Sequence, residues 1–283
     1  MTDDTALMRP LSAALAISTA LAIAAWALWV EPRRVVVRRR TLRLPLWPAR
    51  LDRLRIAIIS DLHAGAPHID ADKLRRVVMK TNDERPDLVA LLGDYVDPDV
   101  AFGTFVSPED VAAQLAELRA PRGVFAVLGN HDWSNDGLRI IRGLERAGIT
   151  VLENDAVRIS PAADELWLAG IADASTREPE IAGTLSEAPV GAVIVVLTHD
   201  PDIFPLVPDR VALTLAGHTH GGQVAIPVLR RRVIPSAFGE RFAGGHVRER
   251  GRHLFISVGL GTSRFPIRLG APPELALLEL RPA

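Results

Sequence analysis

The 283-residue chain has no cysteine, which excludes disulfides, zinc fingers, iron–sulfur clusters and a thiol nucleophile, and leaves reducing and oxidising compartments equally open. It has no excess of charge either. Thirty-three basic residues stand against thirty-four acidic ones, a formal net charge of −1. No global field draws such a chain to polyanions, and no nucleic-acid partner is expected. Lysine is confined to Lys73 and Lys80 and every other basic residue is arginine, a bias without functional weight. With 21 glycines and 21 prolines the sequence is not of low complexity. What remains is 48% hydrophobic and 24% charged, the balance of a folded protein with a sizeable core.

The longest apolar run, Leu11 to Val30, carries no charge, and its only polar side chains are Ser12, Ser18 and Thr19. As a helix it extends about 30 Å, the thickness of a bilayer's hydrocarbon core, and reads as a transmembrane helix after an N-terminal tail of residues 1–10. The rival is a cleaved signal peptide, since Ala25-Trp26-Ala27 has the small-x-small form, but the run is long for that purpose. Arg33, Arg34, Arg38, Arg39 and Arg40 follow it, whereas Asp3, Asp4 and Arg9 precede it. The positive-inside bias therefore gives a single-pass protein of the cell membrane with its main domain in the cytoplasm, the periplasmic or extracellular face being the alternative. The same arginines suit anionic headgroups.

Residues 31–53, broken by Pro32, Pro45 and Pro48, read as a connector, and the folded domain is expected over 54–283. Strand-like runs at Leu54–Ser60, Leu88–Leu92, Val124–Leu128 and Ile149–Leu152 alternate with helical patterns after Asp70, at Pro108–Leu118 and at Leu138–Ala147. The second half holds further strand-like runs at Leu166–Ile171, Val193–Thr198, Val211–Ala216, Gln223–Ile226, Leu254–Val258 and Leu275–Leu280. That is an α/β chain with enough strands for two packed sheets.

Several of these runs end in residues of metal-ligand type: Asp61-Leu62-His63, Gly93-Asp94-Tyr95, Gly129-Asn130-His131-Asp132, Thr198-His199-Asp200 and Gly217-His218-Thr219-His220-Gly221-Gly222. Loops beyond strand ends are where α/β folds place their sites. One Asp-x-His is weak evidence, because such pairs are commonly surface or capping features, and Gly129-Asn130 suits a tight turn. Five clusters holding His63, His131, His199, His218 and His220, five of the eight histidines, are not explained that way. The donors are nitrogen and oxygen without sulfur, which suits manganese, iron or zinc. They are too many for one ion. Two ions about 3.5–4 Å apart, sharing a carboxylate, would use them all and match the two-metal arrangement for hydrolysing phosphate esters.

In their order these motifs resemble the calcineurin-like metallophosphoesterase superfamily, over about residues 54 to 280. The resemblance implies a four-layer αββα sandwich of two mixed sheets. It implies one metal held by Asp61, His63, Asp94 and His220, and a second held by Asp94, Asn130, His199 and His218, with Asp94 bridging. Manganese is favoured for both, with iron or zinc as alternatives. It further implies catalytic roles for His131, which contacts the phosphate and protonates the leaving oxygen, and for Asp132, which orients it. Glu31-Pro32 after a hydrophobic segment, Gly217 to Gln223, and Gly261-Thr262-Ser263 through Arg268 to Pro273-Glu274 are similar to the membrane-associated bacterial phosphodiesterase branch. That branch includes hydrolases of the lipid A precursor UDP-2,3-diacylglucosamine.

The expected activity is thus a dinuclear metal-dependent phosphoester hydrolase at the membrane, a phosphodiesterase or pyrophosphatase whose substrate is lipid-linked or part of the cell envelope. Two alternatives stay open: a secreted soluble nucleotide phosphatase or phosphodiesterase, and a non-catalytic membrane scaffold that binds phosphorylated ligands. Arg264 and Arg268 suit phosphate but read more readily as exposed sheet-edge arginines. His68 reads as a solvated loop residue and Trp133 as packed under its turn. Little chain is left between the motifs for a lid, so an open cleft is expected.

Overall fold

The computed structural model describes residues 4–97, 99–159, 165–225 and 234–283, with side chains from residue 12 onward. Helix α1 (Asp4–Ala25) continues through a wider helical turn, Trp26–Val30, and a short 3₁₀ turn, Glu31–Arg33. From Ser12 to Arg33 it is long and apolar enough to cross a membrane, and only 6% of its most apolar window is covered by the rest of the protein.

The remainder forms two six-stranded mixed sheets. The first runs β1 (Val36–Leu44), β12 (Glu274–Pro282), β2 (Leu54–Ile59), β3 (Leu88–Leu92), β4 (Val124–Val127), β5 (Thr150–Val151). The second runs β10 (Gly245–Glu249), β11 (Arg252–Ile256), β9 (Leu213–Ala216), β8 (Val193–Leu197), β7 (Leu166–Gly170), β6 (Asp155–Arg158). Within the first sheet β2, β3, β4 and β5 are parallel, joined by helices α2 (Ala71–Asp83), α3 (Pro108–Leu115) and α5 (Gly137–Arg146). Side chains of opposite caps fix where the helices start: Asp70, Ser107 and Asp136 each accept the N–H three residues on.

Alternation along the strands separates the layers. Ile56, Ile58, Leu88 and Leu92 turn inward to meet Leu166, Leu168, Val195 and Leu215 of the second sheet. Ala57, Ile59, Val89 and Leu91 turn outward onto Leu74, Val77, Val111 and Leu144 of the helices. On the far side Ala169, Ile194 and Val196 meet Leu185 of α6 (Ile181–Ser186). The result is the expected four-layer αββα sandwich.

Two expectations need correction. Residues 31–53 are not a free connector: β1 lies in the sheet, parallel to β12 over its whole length from Val36↔Glu274 to Leu44↔Pro282. Its arginines also turn to the domain, Arg38 pairing with Glu274 at 3.1 Å and Arg39 with Glu84. The run Gln223–Ile226 is no strand over its described part; Val224 makes a single bridge to Leu269, and Ile226 lies outside the described residues.

Candidate metal centre

Because β2, β3, β4, β8 and β9 all point the same way, their C-terminal ends form one rim. Asp61 and His63 follow β2, Asp94 follows β3, Asn130 and His131 follow β4, His199 follows β8, and His218 and His220 follow β9. The turns are tight. Gly93 has φ +88°, and a Cβ there would collide with the backbone of Gly129 and the His199 ring; one on Gly129 would strike Asp94. Only glycine lets the two loops close on one point. Asp61, His63, Asp94, His218 and His220 themselves take left-handed backbone, with φ between 47° and 70°, a conformation that costs energy in non-glycine residues and gathers at functional sites.

The side chains converge in two groups. In one, His63 Nε2 lies 3.0 Å from His220 Nε2, and His220 Nε2 lies 3.3 Å from Asp61 Oδ1. In the other, His199 Nε2 lies 3.2 Å from both Asp94 Oδ2 and His218 Nδ1. Asp94 Oδ2 is also 3.5 Å from His63 Nε2, so this carboxylate stands between the groups. Asn130 Oδ1 is buried without a hydrogen-bond partner. Ring nitrogens facing one another and an orphaned buried acceptor are what remains of a donor set arranged around cations. All seven expected ligands are therefore brought together, and the residues fit two divalent ions.

The electrostatics agree. Burial raises Asp94, but His199, His63 and His131 outweigh it and leave the carboxyl far below its usual range. Burial lowers His199, and the charge of Asp94 more than reverses this; the same negative field would attract a metal cation, which displaces the proton on ligation. Burial, then His63 and Arg268, push His220 well down, toward the neutral form that ligation needs.

Asp132 corrects the sequence reading. Its carboxylate does not face His131. It accepts the N–H groups of Asp94 at 2.7 Å, Tyr95 at 2.8 Å and Gly129 at 2.9 Å, stapling the loop after β3 to the start of α4 (Asn130–Asn135). Burial and the neighbouring Asp94 push its carboxyl up to about 7. The carboxylate at His131 is Asp97, whose Oδ2 lies 3.1 Å from His131 Nδ1 and 3.0 Å from His63 Nδ1. Sequence reasoning missed Asp97, although it closes the run Gly93-Asp94-Tyr95-Val96-Asp97.

Arg268 is a second correction. It is fully buried, not exposed; its guanidinium donates to the carbonyls of Gly261, Ala271 and Val258 and lies 3.3 Å from His220 Nδ1. Arg264 instead lines a cavity of about 610 Å³ that opens over Asp94, Asn130, His131, His218 and His220, with Val224, Pro235, Phe265 and Ile267 as an apolar wall. Trp133 packs beside the core with the Arg177 guanidinium 4.4 Å over its ring. His68 lies against the backbones of Leu28 and Pro266, outside the cavity.

Residues 54–222 match the family of calcineurin-like phosphoesterases. The chain belongs to that family. As a metallophosphoesterase it is a metal-dependent phosphoester hydrolase. An uncharacterized metallophosphoesterase of Bacillus subtilis, YkuE, is 30% identical over 260 residues, covering 90% of this chain and 89% of its own. The phosphodiesterase YaeI of Escherichia coli is 33% identical over 232 residues, covering 80% and 82%. A transmembrane protein with metallophosphoesterase domain from Danio rerio is 28% identical over 291 residues, covering 95% of this chain and 62% of its own.

Proposed function

We propose that this metallophosphoesterase is a single-pass membrane enzyme that hydrolyses a phosphodiester or pyrophosphate carried on a lipid or other envelope molecule. The observation that carries this reading is the cavity itself: its lining joins Asp94, Asn130, His131, His218 and His220 to Val224, Pro235, Phe265 and Ile267, apolar side chains with no use for a phosphate but suited to an acyl or prenyl chain. The helix from Ser12 to Arg33 supports a membrane location. Arg33 and Arg34 beside it support a cytoplasmic catalytic domain.

Asp61, His63, Asp94 and His220 would hold one divalent ion, and Asp94, Asn130, His199 and His218 the second, the oxygen and nitrogen donors suiting manganese, iron or zinc. When bound, the ions supply Lewis-acid charge to the phosphoryl oxygens and to the attacking water. The chain's own groups do the rest. Asp97 accepts from His131 Nδ1, which fixes the ring and leaves Nε2 to give a proton to the departing oxygen. Arg264 at the cavity edge offers a planar fork to a second phosphate oxygen pair. Asp132 holds the loops in register and takes no proton from the substrate.

Two comparisons test this. His131→Ala is expected to keep its metals and lose about 10²–10⁴ in turnover, most for esters with poor leaving groups; an equal loss across leaving groups removes the acid role. For the substrate, kcat/KM for a lipid-linked pyrophosphate in mixed micelles is compared with that of the matching soluble headgroup. Equal efficiency overturns the lipid assignment and favours the soluble nucleotide reading.

A further inference from the structure

The domain is fastened to the end of its hydrophobic helix, not hung from it. Ala27 is buried, and its carbonyl accepts the Arg268 N–H at 3.0 Å. Trp26 Nε1 donates to the buried Glu31 at 2.8 Å. The amine of Lys73, also buried, donates to the carbonyls of Pro32 at 2.6 Å and Leu260 at 2.9 Å. Strand polarity then decides which end of the domain meets the helix. β1 starts at Val36 beside Glu274 and finishes at Leu44 beside Pro282, while β12 runs antiparallel to β2. The helix therefore enters at the C-terminal rim of β2, where the metal-binding side chains stand.

Aromatic side chains gather at that rim. Among the described residues every exposed tryptophan and phenylalanine falls in three segments: Trp26 and Trp29 at the helix end, Phe102 and Phe105 in the loop after β3, and Phe265 in the loop after β11. The segments touch. The Arg264 carbonyl accepts the Ala101 N–H at 3.0 Å, Thr104 donates to Gly65 two residues past His63, and the 265–268 stretch reaches Ala27 through Arg268. Phe102 is 88% exposed and holds left-handed backbone, an arrangement that packing within the domain does not reward. Basic groups accompany the rings: Arg34 lies 5.8 Å over Trp26, Arg33 donates to the Trp29 carbonyl, and Arg264 is exposed. Rings with arginines beside them are the composition of a membrane–water interface facing anionic headgroups.

We infer that Trp26, Trp29, Phe102, Phe105 and Phe265 form a collar that seats the rim of the domain in the bilayer interface, so that the cavity opens into the headgroup layer. The occupant of this surface is the lipid bilayer, because the collar is continuous with the end of the helix that enters it. This rests on the membrane reading proposed above and deepens it. The cavity mouth is held at headgroup depth, and a substrate reaches the metal-binding residues without leaving its leaflet.

The absence of cysteine makes every introduced thiol a unique labelling site. The full chain is reconstituted in vesicles of phosphatidylethanolamine and phosphatidylglycerol, with a nitrobenzoxadiazole probe on Phe102→Cys, Phe105→Cys or Phe265→Cys. Leu46→Cys and Val190→Cys serve as controls at the opposite end of the strands. Blue-shifted emission and quenching by shallow spin-labelled lipid are expected at 102, 105 and 265 and not at 46 or 190. No quenching at the three collar positions, or equal quenching at all five, overturns the collar; a protein partner there would give the blue shift without the lipid quenching. A second readout is the double variant Phe102→Ser/Phe105→Ser. It is expected to lose about tenfold in rate on a lipid-embedded phosphodiester at fixed surface concentration while its rate on bis(p-nitrophenyl) phosphate is unchanged. Collar quenching without a preference for lipid-linked substrate leaves the collar standing and refutes the substrate assignment. Preference without quenching does the reverse.

Discussion

Replacing Asp97 by asparagine tests the site where the structure departs most from the sequence motif. Asp97 Oδ2 serves two imidazoles, His63 Nδ1 at 3.0 Å and His131 Nδ1 at 3.1 Å, while Oδ1 accepts the Asp99 N–H at 3.0 Å. An asparagine has one oxygen. With that oxygen toward the histidines, its NH₂ faces the Asp99 N–H; turned over, it faces two ring N–H groups. Both orientations oppose donors, and the negative charge is gone in either. A hydrogen bond to a charged group is worth about 1.5–3 kcal/mol, and each 1.4 kcal/mol of barrier is about tenfold in rate. Asp97→Asn is therefore expected to lower kcat about 10- to 100-fold, with metal affinity weakened through His63 by a comparable factor. Steady-state hydrolysis of a soluble phosphodiester under saturating Mn²⁺, with metal content measured on the same sample, separates the two effects. An unchanged kcat with full metal occupancy would falsify the pairing of Asp97 with His131.

Asp94→Ala should remove both metals, because this carboxylate stands between the two donor groups; retention of two tightly bound ions, measured by elemental analysis, would contradict the bridging assignment. Glu153 gives a prediction away from the metals. Burial pushes its carboxyl up to about 7, and neither oxygen has a partner. The folded state thus holds the proton more firmly than the unfolded one, and stability falls as pH rises from 4.5 toward 7. The rise corresponds to a ceiling of about 3 kcal/mol, and partial exposure lowers this to about 1–2 kcal/mol. Glu153→Gln should accordingly raise Tm at pH 8 and leave it unchanged at pH 4; equal shifts at both values would rule out the buried charge as cause.

The sequence made the fold's interior legible and its margins obscure. Of the strands anticipated from apolar runs, β2, β3, β4, β7, β8, β9, β11 and β12 sit inside the sheets, and only the two-residue β5 lies at an edge. The three unanticipated ones, β1, β6 and β10, are all at sheet edges. There one side meets solvent and the hydrophobic signal thins, as in the arginine-rich β1, while edge charges themselves protect against stray pairing. The partner of β1 also lies at the far end of the chain, beyond the reach of any local pattern.

At the site the residue types were legible and the orientations were not. The seven expected ligands were legible because each follows a strand. Asp132 was adjacent to His131 in sequence, yet the first turn of α4 points its carboxylate back at three N–H groups, and the acid that meets His131 comes from another loop. Arg268 looked exposed because arginine usually is; three carbonyls from neighbouring turns satisfy its donors and make burial tolerable.

The left-handed backbone of Asp61, His63, Asp94, His218 and His220 bears on how firmly the rim can hold together. Each of these positions would relax if it became glycine, and the chain that lost its chemistry would be the sturdier for it. Glycine at any of them would gain stability and lose a donor. That all five positions carry side chains of ligand type, on a backbone that resists them, is a stability cost that the packing around the rim has to offset.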